Sequence, residues 1–355
     1  MPLFVFMRTN IYLESGYLNQ KVIRRLADKN NINFIVEIGK RQVGKTYGVL
    51  QMMLENETPF ILMRRTITEM EFICNDINNP FTAIPNSNVH IKKDSKYSAS
   101  MHRDTPESDA KYIGEVMSLS TIAKIRGFNG QIYTDVVYDE CIPENHVMKI
   151  RNEEDAFLNA YVTISGAREE NGEKPLRMWL LANSNNIDTP ILRALNITEQ
   201  VEKMENKQQE LCILPNRGIM IVRPFSEFIT EKRKKTSIFK AVGTDSNFAQ
   251  MALANKFSYN DFSDIAHFNL KAFTPIFAYD GITCYRHKSQ DRLHFVGFED
   301  RTLPDKRIYG ASDRGRKKLM RDFPTLRDYY VQNRITFDDM TIKQAIFTML
   351  TNHTI

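Results

Sequence analysis

The spacing of apolar positions changes period twice within the first sixty-odd residues. Residues 32–38 (Ile32-Asn33-Phe34-Ile35-Val36-Glu37-Ile38) alternate and predict a β-strand. Residues 47–55 carry Val49, Leu50, Met53 and Leu54 at helical spacing. Phe60-Ile61-Leu62-Met63 then predicts a second core strand, ending in Arg64-Arg65. Further strands are predicted at Val136-Val137-Tyr138 and at Met178-Trp179-Leu180-Leu181-Ala182, with a helix over residues 153–165 between them. Strands alternating with helices predict an α/β domain with a mainly parallel sheet, whose ligand sits at the C-terminal ends of the strands.

Beyond about residue 258 the pattern changes. Residues 273–279, the turn pair Asp280-Gly281 and residues 282–286 read as a hairpin. A strand at 293–298 and helices at 319–330 and 341–350 complete a small α+β unit.

The junction between the first strand and first helix carries the chemistry. Gly39-Lys40-Arg41-Gln42-Val43-Gly44-Lys45-Thr46 fits the phosphate-binding loop G-x-x-x-x-G-K-[ST]. Such a loop aims backbone N–H groups and a helix N-terminus at phosphates. The candidate nucleotide contacts are Gly39, Arg41, Gln42, Val43, Gly44, Lys45, Thr46 and the adjoining Tyr47, with Thr46 as a Mg²⁺ ligand. A second element follows the strand at 136–138. Asp139 would share the Mg²⁺ ion and Glu140 would activate water. Asn183, at the end of the strand at 178–182, is a candidate γ-phosphate sensor, followed by Ser184-Asn185. Arg64 and Arg65 suit a contact to phosphate, adenine or DNA, and equally a solvated basic turn. Asp135 reads as a solvated strand end. Hydrolysis of this type usually needs an extra cation, often from a neighbouring subunit. Lys124, Arg126 and Arg168 are the candidates.

Composition narrows the class without deciding it. The chain has 355 residues, a formal net charge of +5, 42% hydrophobic and 26% charged residues, as expected of a globular protein with more than one domain. No apolar run is long enough to span a bilayer, and the N-terminal apolar stretch lacks a basic lead and cleavage site, so no signal peptide or membrane partner is expected. Cys74, Cys141, Cys212 and Cys284 show no metal spacing and read as reduced thiols. Basic clusters at Lys92, Lys93 and Lys96, at residues 231–235, and at residues 314–318 with Arg321 suit solvated faces or nucleic-acid contacts.

With these motifs in place, the chain resembles the DNA-packaging ATPases (encapsidation proteins) of phi-twenty-nine-like phages, small relatives of the large terminases. The likeness rests on Arg41 within the phosphate loop, the strand ending in Arg64-Arg65, Tyr138-Asp139-Glu140 and Leu181-Ala182-Asn183-Ser184. It continues through Glu231-Lys232-Arg233-Lys234-Lys235, Phe239, Gly243-Thr244, Met251, Leu253, Asn255 and Phe257, and in short patches at 277–281 and 334–338. The stretch at 198–216 has no clear counterpart.

The resemblance implies a P-loop ATPase domain with a mainly parallel central sheet (1–228), a linker or lid segment (229–258) and a small α+β domain of vestigial ribonuclease-H-like type (259–355). It implies ATP and Mg²⁺ as ligands and double-stranded DNA as cargo. It further implies a ring, usually pentameric, at a portal protein in the host cytoplasm, with a packaging RNA as a further partner. It assigns the cations acting across subunits to Arg126 or its neighbour Lys124, and to Arg168. Two other readings fit the motifs: a large terminase with a working nuclease using Asp280 or Asp300, and a P-loop nucleotide switch that moves no DNA.

Overall fold

Hydrophobic runs flanked by crossover helices leave a chain little choice but to stack strands in parallel and cover both faces. The computed structural model shows this arrangement over residues 10–106, 108–124, 128–143, 150, 152–184, 187, 189–242, 264–332 and 334–351. The chain divides into two compact units, Met1–Tyr259 and Asn260–Ile355.

In the first unit, helix α1 (Gln20–Lys29) leads to β1 (Phe34–Gly39), α2 (Lys45–Asn56), β2 (Phe60–Arg64) and α3 (Ile67–Ile73). The antiparallel strands β3 (Val89–Lys93) and β4 (Ser98–Thr105) precede β5 (Ser108–Ser118). A 3-10 helix (Leu119–Lys124) leads to β6 (Asp135–Asp139), α4 (Glu153–Ser165) and β7 (Arg177–Asn183). Helices α5 (Pro190–Ala194) and α6 (Thr198–Asn206), strands β8 (Leu211–Leu214) and β9 (Ile219–Val222), and helices α7 (Glu227–Lys234) and α8 (Ser237–Val242) follow.

The nine-stranded sheet runs β3-β4-β5-β2-β6-β7-β1-β9-β8. Neighbours from β5 to β9 are parallel, and the edges are antiparallel. β7 lies between β1 and β6, with Gly39 opposite Asn183 and Asp139 opposite Leu181. That register gathers the C-terminal ends of β1, β7, β6 and β2 along one edge.

The stretch at 198–216 forms α6 and the edge strand β8. Two sequence-based expectations change here. Asp135 is not solvated: it is 1% exposed and accepts hydrogen bonds from Trp179 Nε1 (2.9 Å) and Thr134 Oγ1 (2.8 Å). The side of its strand that faces Trp179 is covered, so a polar strand start is satisfied from within. Arg65 is no basic turn either. Its Nε and Nη2 grip the Glu153 carboxylate at 2.6 and 2.9 Å, joining the end of β2 to the first turn of α4, and both side chains are 2% exposed.

The second unit has a five-stranded sheet of β10 (Phe273–Tyr279), β11 (Ile282–His287), β12 (Leu293–Val296), β13 (Ile308–Tyr309) and β14 (Ile335–Phe337), in the order β13-β10-β11-β12-β14. β10, β11 and β12 form an antiparallel meander, with β13 parallel to β10 and β14 parallel to β12. Helices α9 (Asp313–Asp322), α10 (Leu326–Val331) and α11 (Met340–Thr351) accompany it. The core joins Phe277, Phe295, Phe337, Leu319 and Ile346. The single helix expected at 319–330 is two, broken at Phe323-Pro324, where proline offers no N–H and disfavours helical backbone before it.

A buried ion pair that loses one partner leaves an uncompensated charge. Glu153→Ala should therefore destabilise the first unit by about 3–5 kcal/mol, whereas Arg65→Met with Glu153→Leu should recover most of that loss. The lone tryptophan, Trp179, is fully buried in β7, so its fluorescence in a denaturant melt reports this unit directly.

Candidate functional site

The loop between β1 and α2 has the backbone a phosphate cradle needs. Gln42 (φ 61°) and Gly44 (φ 88°) are both left-handed, which turns successive N–H groups into one concavity at the start of α2. Glycine suits position 44 for this reason and because Tyr17 packs beside it. Tyr47 stands exposed in the first turn of α2.

Lys45 is buried, with its ammonium folded onto the loop. Nζ donates to the carbonyls of Lys40 (2.7 Å) and Gly39 (3.1 Å) and reaches Asn183 Oδ1 at 3.4 Å. Burial lowers its pKa to about 8, opposed by the charges of Glu37 and Asp139. Thr46 Oγ1 donates to Asp139 Oδ1 at 2.7 Å. This pair of hard oxygens, one from each motif, fits a Mg²⁺ site.

Arg64 reaches the same carboxylates from β2. Its Nη1 lies 2.7 Å from Asp139 Oδ2 and 3.5 Å from Glu140 Oε2. The strand-end arginine thus bridges both acids, a role that its position in the sequence alone did not single out. Glu140 takes a left-handed backbone (φ 55°), uncommon for a non-glycine residue, immediately after β6. Its carboxyl is raised above the ordinary range by desolvation, with Asp139 adding to the shift and Arg64 opposing it.

Sequence reasoning passed over Glu37. It lies on β1 two positions before Gly39, is fully buried, and accepts a hydrogen bond from Gln20 Nε2 at 3.1 Å. Its Oε1 has no hydrogen-bond partner among the described residues. An acid inside an otherwise apolar central strand was the available signal. Desolvation raises its pKa to about 7, against the Gln20 bond and the Lys45 charge.

The candidates for action across subunits fare differently. Lys124 is exposed, its Nζ 5.5 Å from the Tyr97 ring centroid. Arg126 lies outside the described residues, as do Asn185 and the linker positions Gly243, Thr244, Met251, Leu253, Asn255 and Phe257. Arg168 is enclosed within the chain. It is 3% exposed, and its guanidinium donates to the carbonyls of Ser165 (2.9 Å), Tyr133 (2.9 Å) and Gly130 (2.8 Å). Gly130 passes so close to α4 that a Cβ there would lie 1.9 Å from the Ile164 carbonyl oxygen. Within the single chain, Arg168 ties this loop to the helix.

In the second unit the acids have local partners. Asp300 accepts from Tyr285 (2.7 Å) and Thr302 (2.7 Å), Asp338 pairs with His267 (2.7 Å), and Asp339 caps the Ile342 N–H (2.9 Å). Asp280 sits in the β10–β11 turn. Among the described residues, no three acidic, histidine or cysteine side chains gather as a metal site.

Comparison with known proteins follows the same lines. A family model described as podovirus DNA encapsidation protein (Gp16) matches residues 14–282, well over half the chain. Among solved structures, the bacteriophage Phi-29 viral genome packaging motor assembly is similar at a TM-score of 0.64 and 19% identity, covering 94% of this chain and 99% of that one. The Phi-28 gp11 DNA packaging motor is similar at 0.53 and 14% identity, covering 94% and 98%. At such identities the likeness establishes the fold. No curated protein matches the sequence.

Two outcomes test these assignments. A carboxyl whose folded pKa exceeds its unfolded value costs stability as pH rises past the unfolded value, and the cost is complete above the folded one. For Glu37 that window runs from 4.5 to about 7, and the cost is on the order of 3 kcal/mol. Lys45 remains charged across it. The melting temperature of Glu37→Gln, measured against that of the native protein, should therefore rise steadily between these limits and level off above them. Arg168→Ala should lower the melting temperature by several degrees without nucleotide or partner, since about 1 kcal/mol corresponds to 2–4 °C in a domain of this size. Differential scanning fluorimetry reads both.

Proposed function

The chain belongs to the podovirus DNA encapsidation protein (Gp16) family, and from that premise we propose that it is an ATP-driven motor moving double-stranded DNA into a preformed capsid. The observation that carries the ATPase reading is the meeting of Lys45, Thr46, Asp139, Glu140, Arg64 and Asn183 at adjoining strand ends, linked by the contacts between Thr46, Asp139 and Arg64.

In this reading the concave loop binds the phosphates of ATP, and Lys45 exchanges its carbonyl partners for phosphate oxygens. Thr46 and Asp139 would hold Mg²⁺, which supplies charge neutralisation at the phosphates. Asn183 already reaches Lys45, which suits a sensor beside the γ-phosphate. Glu140 orients the attacking water and accepts its proton at a carboxylate oxygen. The water oxygen bonds to the γ-phosphorus while the bond to the β–γ bridging oxygen breaks, and the electron pair leaves with ADP. Arg64 neutralises the two acids until the phosphates arrive.

Arg126, or its neighbour Lys124, of a neighbouring copy is the proposed cation that completes the site, which requires a ring, proposed as a pentamer. The ring would work at a portal protein, in a host cell, with a packaging RNA as a further partner. The second unit, proposed as a vestigial ribonuclease-H-like domain, would serve as a scaffold for these contacts. DNA would be gripped through its phosphates without reading of sequence.

Steady-state ATPase activity tests the proposal. Linear duplex DNA should stimulate the rate, more at low salt than at high salt. Glu140→Gln should lower it about 10²-fold or more, with nucleotide still bound. A slow rate indifferent to duplex, and unchanged in Glu140→Gln, would instead point to a nucleotide switch.

A further inference from the structure

Lys40, the first variable position of the phosphate loop, does not face the phosphate side. It is 3% exposed, and its Nζ donates to Thr230 Oγ1 at 2.6 Å and to the Ser226 carbonyl at 3.4 Å. Its own carbonyl accepts from Lys45 at 2.7 Å. The next loop residue is held from the same side, because Arg233 Nη1 donates to the Arg41 carbonyl at 2.9 Å. Both grips come from α7, a helix nearly two hundred residues downstream.

The helix is built to hold that position. Ser226 caps it by accepting from the Ile229 N–H, and Thr230 Oγ1 donates back to the Ser226 carbonyl at 2.9 Å. Ile229 is 2% exposed and Phe239 of α8 is 3% exposed, which anchors the pair of helices. The Arg233 guanidinium lies 5.2 Å from the Phe239 ring centroid, so its direction is set from behind. Arg41 and Arg233 both depress Lys45, so positive charge accumulates here in a way that bound phosphates would offset.

Gln42 holds a left-handed backbone that non-glycine residues seldom adopt, so the loop's conformation is costly on its own. Anything that holds it in shape lowers the cost of binding. We propose that Thr230 and Arg233 are positioning residues that clamp the phosphate loop from its outer side and thereby set its affinity for nucleotide. The inference rests on the loop binding nucleotide, as argued above. Thermodynamic reciprocity adds a second consequence. If the clamp strengthens nucleotide binding, bound nucleotide strengthens the clamp by the same factor.

The test uses the full-length chain, with MgADP as the probe. MgADP titrations and ATPase kinetics are run on Thr230→Val, Thr230→Ser and Arg233→Gln, with Lys45→Ala as the control for the loop itself. Thr230→Val and Arg233→Gln should raise Kd and KM about five- to thirtyfold, with a smaller change in kcat. Thr230→Ser, which keeps the hydroxyl, should restore both. In the native protein MgADP should slow amide hydrogen exchange across residues 227–242, and in Thr230→Val it should do so much less. Variants whose Trp179 melts match the native protein but whose Kd is unchanged overturn the clamp. So does native protein that binds MgADP without any change in α7 exchange. If Lys45→Ala binds MgADP as tightly as the native protein, the nucleotide reading fails, and the clamp with it.

Discussion

The site depends on one constraint of the sheet: β7 is inserted between the strand that feeds the phosphate loop and the strand that ends in Asp139. Parallel pairing fixes the heights of all three strand ends: Gly39 and Asn183 are level, and Asp139 lies opposite Leu181, two residues short of them. α2 then starts beneath that edge with Thr46 within hydrogen-bond reach of Asp139. Were β1 and β6 immediate neighbours, Asn183 would have no place between the motifs. β2, on the far side of β6, brings Arg64 to the same carboxylates.

Electrostatics explains why these residues are held by so many local contacts. Lys45, Arg41, Arg64 and Arg233 crowd around the loop, while Asp139, Glu140 and the buried Glu37 oppose them. Burial pushes Lys45 and Glu37 in opposite directions, each towards its neutral form. Each charge also lessens the displacement of the other.

Much of this was legible from sequence because it rests on local rules. The strand-loop-helix at 34–56, the strand ending at Asp139 and the strand ending at Asn183 follow from periodicity and motif, and the structure has β1, α2, β6 and β7 there. What periodicity cannot see is which polar residue meets which across the sheet. Arg64 and Arg65 are adjacent and looked alike, yet Arg64, the last residue of β2, joins the acid pair, while Arg65, just past the strand, is sealed against Glu153. The burial of Arg168 was hidden for a related reason. An arginine after a helix looks solvent-facing until the 130–133 loop packs over it and offers its carbonyls. The bracing of Lys40 by Thr230 joins residues 190 positions apart, with no local signature at either end.

That separation has a consequence for biosynthesis. A chain emerging from the ribosome would display the glycine-rich loop long before α7 exists to hold it. The strands that flank β1, β7 and β9, also come later in the sequence. Until β7 and β9 have been made the strand feeding the loop lacks its neighbours, and until α7 follows them the loop lacks its outer support. The proposed nucleotide site is therefore among the last parts of the first unit to take shape, and nascent or C-terminally truncated fragments lacking α7 would carry the motif without the grip that shapes it.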